Sequence, residues 1–269
     1  MNLWASIISA MALCTVACST PPAAKVDKLA RRAGLSRDIV QGGEFRHVVY
    51  RKDSFAPGDE LHVYIDGDGL AYRSRYLPSA DPTPADPLAL ELMLKDPAPA
   101  LYLGRPCYLG LVQDDGCNVS YWTLRRFSPE VVSSMTQVLR ARIDAAGVKR
   151  VTLIGYSGGA ALALLIADDI PEVNRIVTVA GNLDVAGWVR LHGYTPLAGS
   201  LDPFTDERRR TDVLQIHYAG AEDENIPPAL ITAAAAKLGG RVIVIKDFDH
   251  QCCWASVWPT VLRDLNTDR

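Results

Sequence analysis

No sign of charge predominates in this chain of 269 residues. Its 28 Lys and Arg stand against 31 Asp and Glu, for a formal net charge of -3. The charges are dispersed, which argues against nucleic-acid binding, because phosphate contacts need clustered Lys and Arg. The lone basic cluster, Arg208-Arg209-Arg210, sits beside Asp206 and Glu207 and reads as a solvated loop. Internal repeats and low-complexity segments are missing. Histidine is scarce, with 5 copies, and cysteine little commoner, with 6. No second Cys-x-x-Cys and no His pair stands within reach of the cysteines, which excludes a zinc site of the usual spacing. No metal and no cofactor is expected. A long apolar run is also lacking: the N-terminal run stops at Pro21-Pro22, short of a bilayer span.

That short run suits the apolar region of a signal peptide. It departs from the usual pattern in having no Lys or Arg before it. Thr15-Val16-Ala17-Cys18 resembles a bacterial lipobox, with small Ala17 before the acceptor Cys18, although Thr15 stands where leucine is usual. Residues 1–18 are therefore expected to be a lipoprotein signal, residues 19–41 a Pro/Ala-rich and then basic tether plus a short helix or lead-in, and residues 42–269 one domain. A plain secretory signal cleaved near Ala17 is the alternative. A lipidated Cys18 would place the protein in the cell envelope, since more than one acyl chain suffices for stable anchoring.

Gly155-Tyr156-Ser157-Gly158-Gly159 is the most informative motif. It lies between Val151-Thr152-Leu153-Ile154, of strand length and apolar, and the helix-forming run that begins at Ala160. Strand, Gly-x-Ser-x-Gly, helix is the layout of a nucleophile elbow. A serine on so sharp a turn projects its hydroxyl clear of the sheet, and the following helix N-terminus favours developing negative charge. The partners of such a serine follow in the order acid, then histidine. His47 and His62 precede Ser157, and that order rules them out. His192 has no strand end beside it, and His217 lies inside a strand-like run, facing the sheet surface. His250 comes just past the late strand 241–246, where a loop can carry it back over the serine. The acid should follow the preceding strand, where Glu222, Asp223 and Glu224 compete. Asp223 is preferred, because it stands four residues before Pro227 in an Asp-x-x-Ile-Pro pattern. The oxyanion hole needs two backbone N–H groups. Gly158 supplies one; Asp68, in Asp66-Gly67-Asp68-Gly69 after strand 61–65, supplies the other. A calcium reading of that loop fails, because Leu70 stands where a third oxygen ligand is needed.

Elbow, acid, histidine and oxyanion loop together resemble the α/β-hydrolase superfamily, from about Val48 to about Leu262. Ile65-Asp66-Gly67-Asp68-Gly69-Leu70-Ala71, Gly104-Arg105-Pro106-Cys107, Tyr121-Trp122-Thr123 and Ala180-Gly181-Asn182-Leu183-Asp184 are similar to a bacterial group of small lipoprotein-type α/β-hydrolases. The resemblance implies an α/β fold, a mostly parallel sheet covered by helices on both faces. Strands are expected at 45–51, 61–65, 100–103, 151–156, 175–180, 213–218 and 241–246, and helices at 129–146, 158–169, 228–238 and 256–265. Residues 71–99 and 183–212 do not fit the minimal sheet and are expected to be two loop insertions that wall the site. Cys107 and Cys117, ten residues apart, are expected to pair in an oxidising compartment, leaving Cys252-Cys253 as a vicinal bridge or two thiols. The expected activity is that of a serine hydrolase taking a small-molecule acyl substrate. A carboxylesterase comes first; a peptidase, a thioesterase and an inactive anchored binding protein are the alternatives.

Overall fold

The computed structural model describes residues 20–52 and 60–267. Residues 1–18, and with them Cys18, lie outside the described residues. The helix α1 (Pro22–Arg32) leads into β1 (Leu35–Gly42), which turns through Gly43 (φ +54°) into β2 (Phe45–Lys52). Next come β3 (Glu60–Ile65), a small hairpin of β4 (Tyr72–Ser74) and β5 (Leu77–Pro78), α2 (Leu88–Leu94) and β6 (Ala100–Leu103). A 3₁₀ turn at Val119–Trp122 precedes α3 (Pro129–Ala146), β7 (Arg150–Tyr156), α4 (Gly158–Ala167) and β8 (Val173–Val179). The chain ends with α5 (Val185–His192), β9 (Leu214–Gly220), α6 (Pro228–Leu238), β10 (Arg241–Ile245) and α7 (Trp254–Thr267).

The main sheet has eight strands in the order β1-β2-β6-β3-β7-β8-β9-β10. The β1/β2 and β2/β6 pairs are antiparallel and the rest parallel. The central strand β7 is buried from Val151 to Gly155, the near-continuous apolar run of a parallel strand covered on both faces. The helix α4 is buried along its whole length, so it has no polar face to show in its sequence. By contrast α3 carries its own boundaries. Ser128 caps its N-terminus and Pro129 opens it. Gly147 closes it in the left-handed conformation, at φ 64°. None of the described helices is long and apolar enough to cross a membrane.

Two expectations about chain organisation change. The stretch read as a tether plus a short helix or lead-in holds the helix α1, with Val26 and Ala30 buried, and also the strand β1, which pairs with β2 along its whole length, so the fold extends N-terminal to residue 42. The stretches 71–99 and 183–212 carry structure of their own, the β4–β5 hairpin and α2 in the first and α5 in the second. His217 is not at the sheet surface either. It is fully buried, its Nδ1 sits 2.9 Å from Thr178 Oγ1, and Gly240 closes over it.

Candidate active site

The site lies at the C-terminal ends of β3, β7, β9 and β10, where the open edge of a parallel sheet gathers the loops that follow its strands. Ser157 stands between β7 and α4 at φ 51°, ψ -121°. That is the positive-φ region that non-glycine residues rarely occupy. Its backbone is fixed on both sides. Ser157 N–H donates to Val179 O at 3.0 Å, while Ser157 O accepts from Ala160 and Asn182 N–H at 3.0 Å each. The glycines of the motif are needed for close approach. A Cβ on Gly155 would lie 2.5 Å from Gly159 O and 2.6 Å from Ala160 N, and one on Gly159 would run into Ile65 O.

The structure brings the three expected side chains together. Ser157 Oγ lies 3.0 Å from His250 Nε2, and His250 Nδ1 lies 2.8 Å from Asp223 Oδ2. Facing a carboxylate, Nδ1 carries the hydrogen, which leaves Nε2 with its lone pair toward the serine. Asp223 is buried, with 2% of its surface exposed, while Glu222 and Glu224 are exposed. Asp223 Oδ1 is held by Asn225 N–H at 2.9 Å and Ile226 N–H at 2.8 Å. The acid and base loops are tied through the backbone: Ala221 N–H donates to Ile245 O at 2.9 Å and Glu222 N–H to Phe248 O at 2.8 Å. Two further donors hold the His250 carbonyl, Tyr156 O–H and Trp254 Nε1–H, each at 3.2 Å. The Tyr156 ring lies against the imidazole with centroids 5.3 Å apart.

On the other side of Ser157 stands the loop after β3. Gly67 passes so close that a Cβ there would lie 3.1 Å from Ser157 Cβ. The Asp68 carboxylate does not face the cleft as a free charge. It accepts from Arg105 Nη1 and Arg126 Nη1, each at 2.6 Å, with both guanidinium groups buried. Burial acts to raise the Asp68 carboxyl, but Arg126 and Arg105 outweigh it and hold it below the usual carboxylate range. Arg105 also donates to Gly67 O at 3.2 Å and Arg126 O at 2.8 Å, Arg126 Nε to Thr123 O at 2.6 Å, and Tyr108 O–H to Asp68 O at 3.0 Å. This cage sets the position of the Asp68 backbone beside Gly158, at which any side chain would collide with the same carboxylate. Asp66 is buried behind the loop. Desolvation pushes its carboxyl up to about 7, with the Gly67 and Ala89 N–H groups pulling the other way. The two carboxylates of Asp66-Gly67-Asp68-Gly69 are thus one paired and one largely protonated below neutral pH.

Above these residues opens a cavity of about 1190 Å³. The hairpin side supplies Leu70, Tyr72 and Tyr76, and the opposite wall supplies Trp188, His192 and Tyr194. The latter rings pack on one another, with centroids 5.1 to 5.9 Å apart. Two of the three polar edges are used by the fold: Trp188 Nε1–H donates to Asn225 Oδ1 at 3.2 Å, and His192 Nε2 lies 2.7 Å from Asn225 O. This wall therefore offers a ligand mainly ring faces. Tyr121, Trp122 and Thr123 are buried beneath the rim, where Trp122 Nε1–H donates to Ser79 O at 3.0 Å, and the cavity is lined instead by Leu124 and Arg126. Cys107 and Cys117 are brought together with Cα atoms 5.6 Å apart, and Cys252 stands beside Cys253 at the cavity edge. No group of His, Cys, Asp and Glu among the described residues is arranged to hold a metal ion.

Several site residues escaped the sequence. Asn225 and Trp188 touch the site or its supports, yet each reads locally as an ordinary loop or helix residue; Tyr156 stands in the motif without an assigned role, and His192 was weighed only as the base. The Asp-x-x-Ile-Pro pattern, with Asn225 inside it, was the one signal that could have pointed to the first.

Sheet order, elbow geometry and the three-residue relay together define the α/β-hydrolase fold. Solved structures agree. An esterase from Pyrococcus furiosus superposes with a TM-score of 0.61 at 11% identity, over 88% of this chain and 91% of its own. A protein of unknown function from Agrobacterium tumefaciens, assigned to the α/β-hydrolases, gives 0.58 at 11% identity, over 87% and 96%. A puromycin hydrolase gives 0.59 at 16% identity, over 85% of this chain and 38% of its own. No family model and no curated protein matches the chain. The chain has the α/β-hydrolase fold, and its neighbours in that fold include an esterase and a puromycin hydrolase.

Proposed function

We propose that this protein is a serine hydrolase that works through an acyl-enzyme, and that it is a carboxylesterase. The observation that carries this reading is the relay from Ser157 through His250 to buried Asp223 on the floor of an aromatic-walled cavity. His250 Nε2 takes the hydroxyl proton as Ser157 Oγ attacks the acyl carbon. The N–H groups of Gly158 and Asp68 receive the oxyanion, and the arginine cage keeps the second donor in place before the substrate arrives. Asp223 holds the imidazole tautomer and stabilises the imidazolium. The leaving group departs with the proton, and a water activated by His250 then releases the acid.

A second reading, hydrolysis of aminoacyl amides, draws on Asp86 and Glu91, carboxylates on the cavity wall that suit an ammonium group. A fluorophosphonate probe should label wild type and leave Ser157→Ala unlabelled. Parallel turnover of p-nitrophenyl esters, aminoacyl amides and thioesters then separates the readings; equal labelling of Ser157→Ala rejects all of them.

We further propose export, with Cys18 lipidated and Cys107–Cys117 bridged. A loop that short should stabilise by about 2–3 kcal/mol in the chain-entropy model. Cys18→Ala should release the protein from membranes in a host that processes lipoproteins, and unchanged membrane attachment with unchanged mobility rejects the anchor. Mass mapping without reduction should find the Cys107–Cys117 linkage; an alkylated Cys107 rejects it.

A further inference from the structure

His250 Nε2 has two neighbours. Ser157 Oγ lies 3.0 Å away, and so does Asn225 Nδ2. The orientation of the Asn225 amide is settled by chemistry. An indole N–H can only donate. The amide atom facing Trp188 Nε1 at 3.2 Å is therefore the oxygen, and the NH₂ group faces the imidazole. Nδ1–H is committed to Asp223 at 2.8 Å. Nε2 then offers one lone pair to two donors, the serine O–H and the amide N–H. While the imidazole is neutral the two share it. Once Nε2 has taken the serine proton, its N–H and the amide N–H face each other and neither can accept from the other. An oxygen placed there relieves the conflict by accepting from both. The only oxygen that acyl transfer brings to that place is the one bonded to the acyl carbon opposite the oxyanion donors.

We propose that Asn225 is a catalytic residue: its Nδ2–H donates a hydrogen bond to the departing oxygen while His250 protonates it. The proposal rests on the acyl-transfer reading above. In the step, the carbon–oxygen bond of the tetrahedral intermediate breaks and its electron pair goes to the leaving oxygen. The His250 Nε2 proton moves to that oxygen, and Asn225 keeps its proton throughout. In deacylation the attacking water occupies the same position and gives its proton to His250. The Trp188 bond keeps the amide from turning its oxygen toward the imidazole. One side chain thus links the aromatic wall to the proton-transfer atom, within the segment that also supplies Asp223.

The test is the leaving-group dependence of kcat/KM for esters of one acid, from p-nitrophenol, which departs unaided, to methanol, which needs its proton. Asn225→Ala should lose about tenfold or more kcat/KM on the methyl ester beyond its loss on the p-nitrophenyl ester, the usual scale for one hydrogen bond to developing charge. Asn225→Asp keeps an acceptor for Trp188 and removes the donor, so it should show the same selective loss. Trp188→Phe keeps the donor but frees the amide, and should show a smaller loss in the same sense. Fluorophosphonate labelling of Ser157 expels fluoride, which needs no proton, and should persist in all three variants as proof of an intact site. Losses that are equal across leaving groups in Asn225→Ala and Asn225→Asp, with labelling intact, overturn the role of Asn225 alone. An unlabelled Ser157 in wild type overturns both this role and the acyl-transfer reading.

Discussion

The two sides of Ser157 are built differently. The loop after β3 is locked by buried charge: Asp68 sits between Arg105 and Arg126, which are 3% and 5% exposed, and Arg105 is further packed over the Tyr108 and Phe127 rings. The loop after β10 is exposed at Asp249 and from Gln251 to Cys253, and it is held by neutral or surface contacts, chiefly Tyr156 and Trp254 on the His250 carbonyl. The difference follows the chemistry. On the proposed reading, oxyanion donors work by being fixed before charge develops, and fixing them with buried charge is tolerable because the Asp68 carboxylate and both guanidinium groups are hydrogen-bonded. The base must accept and release a proton, and its loop carries no buried ion pair among the described residues besides the contact of His250 with Asp223. Rigidity is placed where no proton moves, and solvent-side support where one does.

The comparison can be broken at graded points. The largest effect is expected at the base side, where Asp223→Asn removes the group that fixes the imidazole tautomer. Turnover should fall about 10⁴-fold, the scale of such a change in a serine triad, with thermal stability retained. A nearly active Asp223→Asn would move the acid to Glu222 or Glu224. The next is structural and lies on the opposite side. Arg105→Ala leaves the buried Asp68 carboxylate with Arg126 as its one remaining partner, removes the donor to Gly67 O and Arg126 O, and should cost about 3–5 kcal/mol in denaturant unfolding. Arg105→Lys should recover little, because an ammonium cannot reach Asp68, Gly67 O and Arg126 O together.

A third, smaller effect sharpens the electrostatic half of the contrast. Asp66 titrates at about 7 when folded. An unfolded chain returns it to about 3.9. Across that window the native state holds the extra proton, so this group lowers stability as pH rises from about 4 to about 7. Asp66→Asn should remove that slope, and its stability relative to wild type should grow by about 3 kcal/mol from acid to neutral pH. His47 and His217, which burial lowers to about 4, act in the opposite sense over the same range. The variant-minus-wild-type difference is therefore the quantity to read, and a flat difference would show that Asp66 ionises normally. The smallest effect is Tyr156→Phe, which removes one of two donors to the His250 carbonyl. A loss of about 1 kcal/mol is expected, in kcat rather than KM.

Much of this was legible in the chain. Ser157, Asp223 and His250 each stand at the end of a strand with a strong apolar signature, and chain order chose among five histidines. The expected helices at 129–146 and 228–238 match α3 and α6, whose caps are written in Pro and Gly. What could not be read depends on contacts between distant residues. Leu35–Gly42 is an edge strand whose interior positions are all at least partly exposed, so Leu-Ser-Arg-Asp-Ile-Val-Gln-Gly shows little hydrophobic contrast. The helix α2 spans seven residues and is buried almost all round, so it has neither length nor a polar face to announce it. Arg105 and Arg126 meet Asp68 across 37 and 58 positions, and no local pattern records such a pairing. Asn225 falls two residues after the acid, where an amide reads as turn chemistry.

The most direct test is to mix the protein with a p-nitrophenyl ester, quench in acid during the first turnovers, and map the acyl group by mass spectrometry. The expected result is a burst of p-nitrophenolate with the acyl mass on the peptide bearing Ser157, absent in Ser157→Ala and formed at a greatly reduced rate in His250→Ala. Sustained turnover in wild type with no acyl group on Ser157, or acylation of Ser157 in His250→Ala at the wild-type rate, would contradict it.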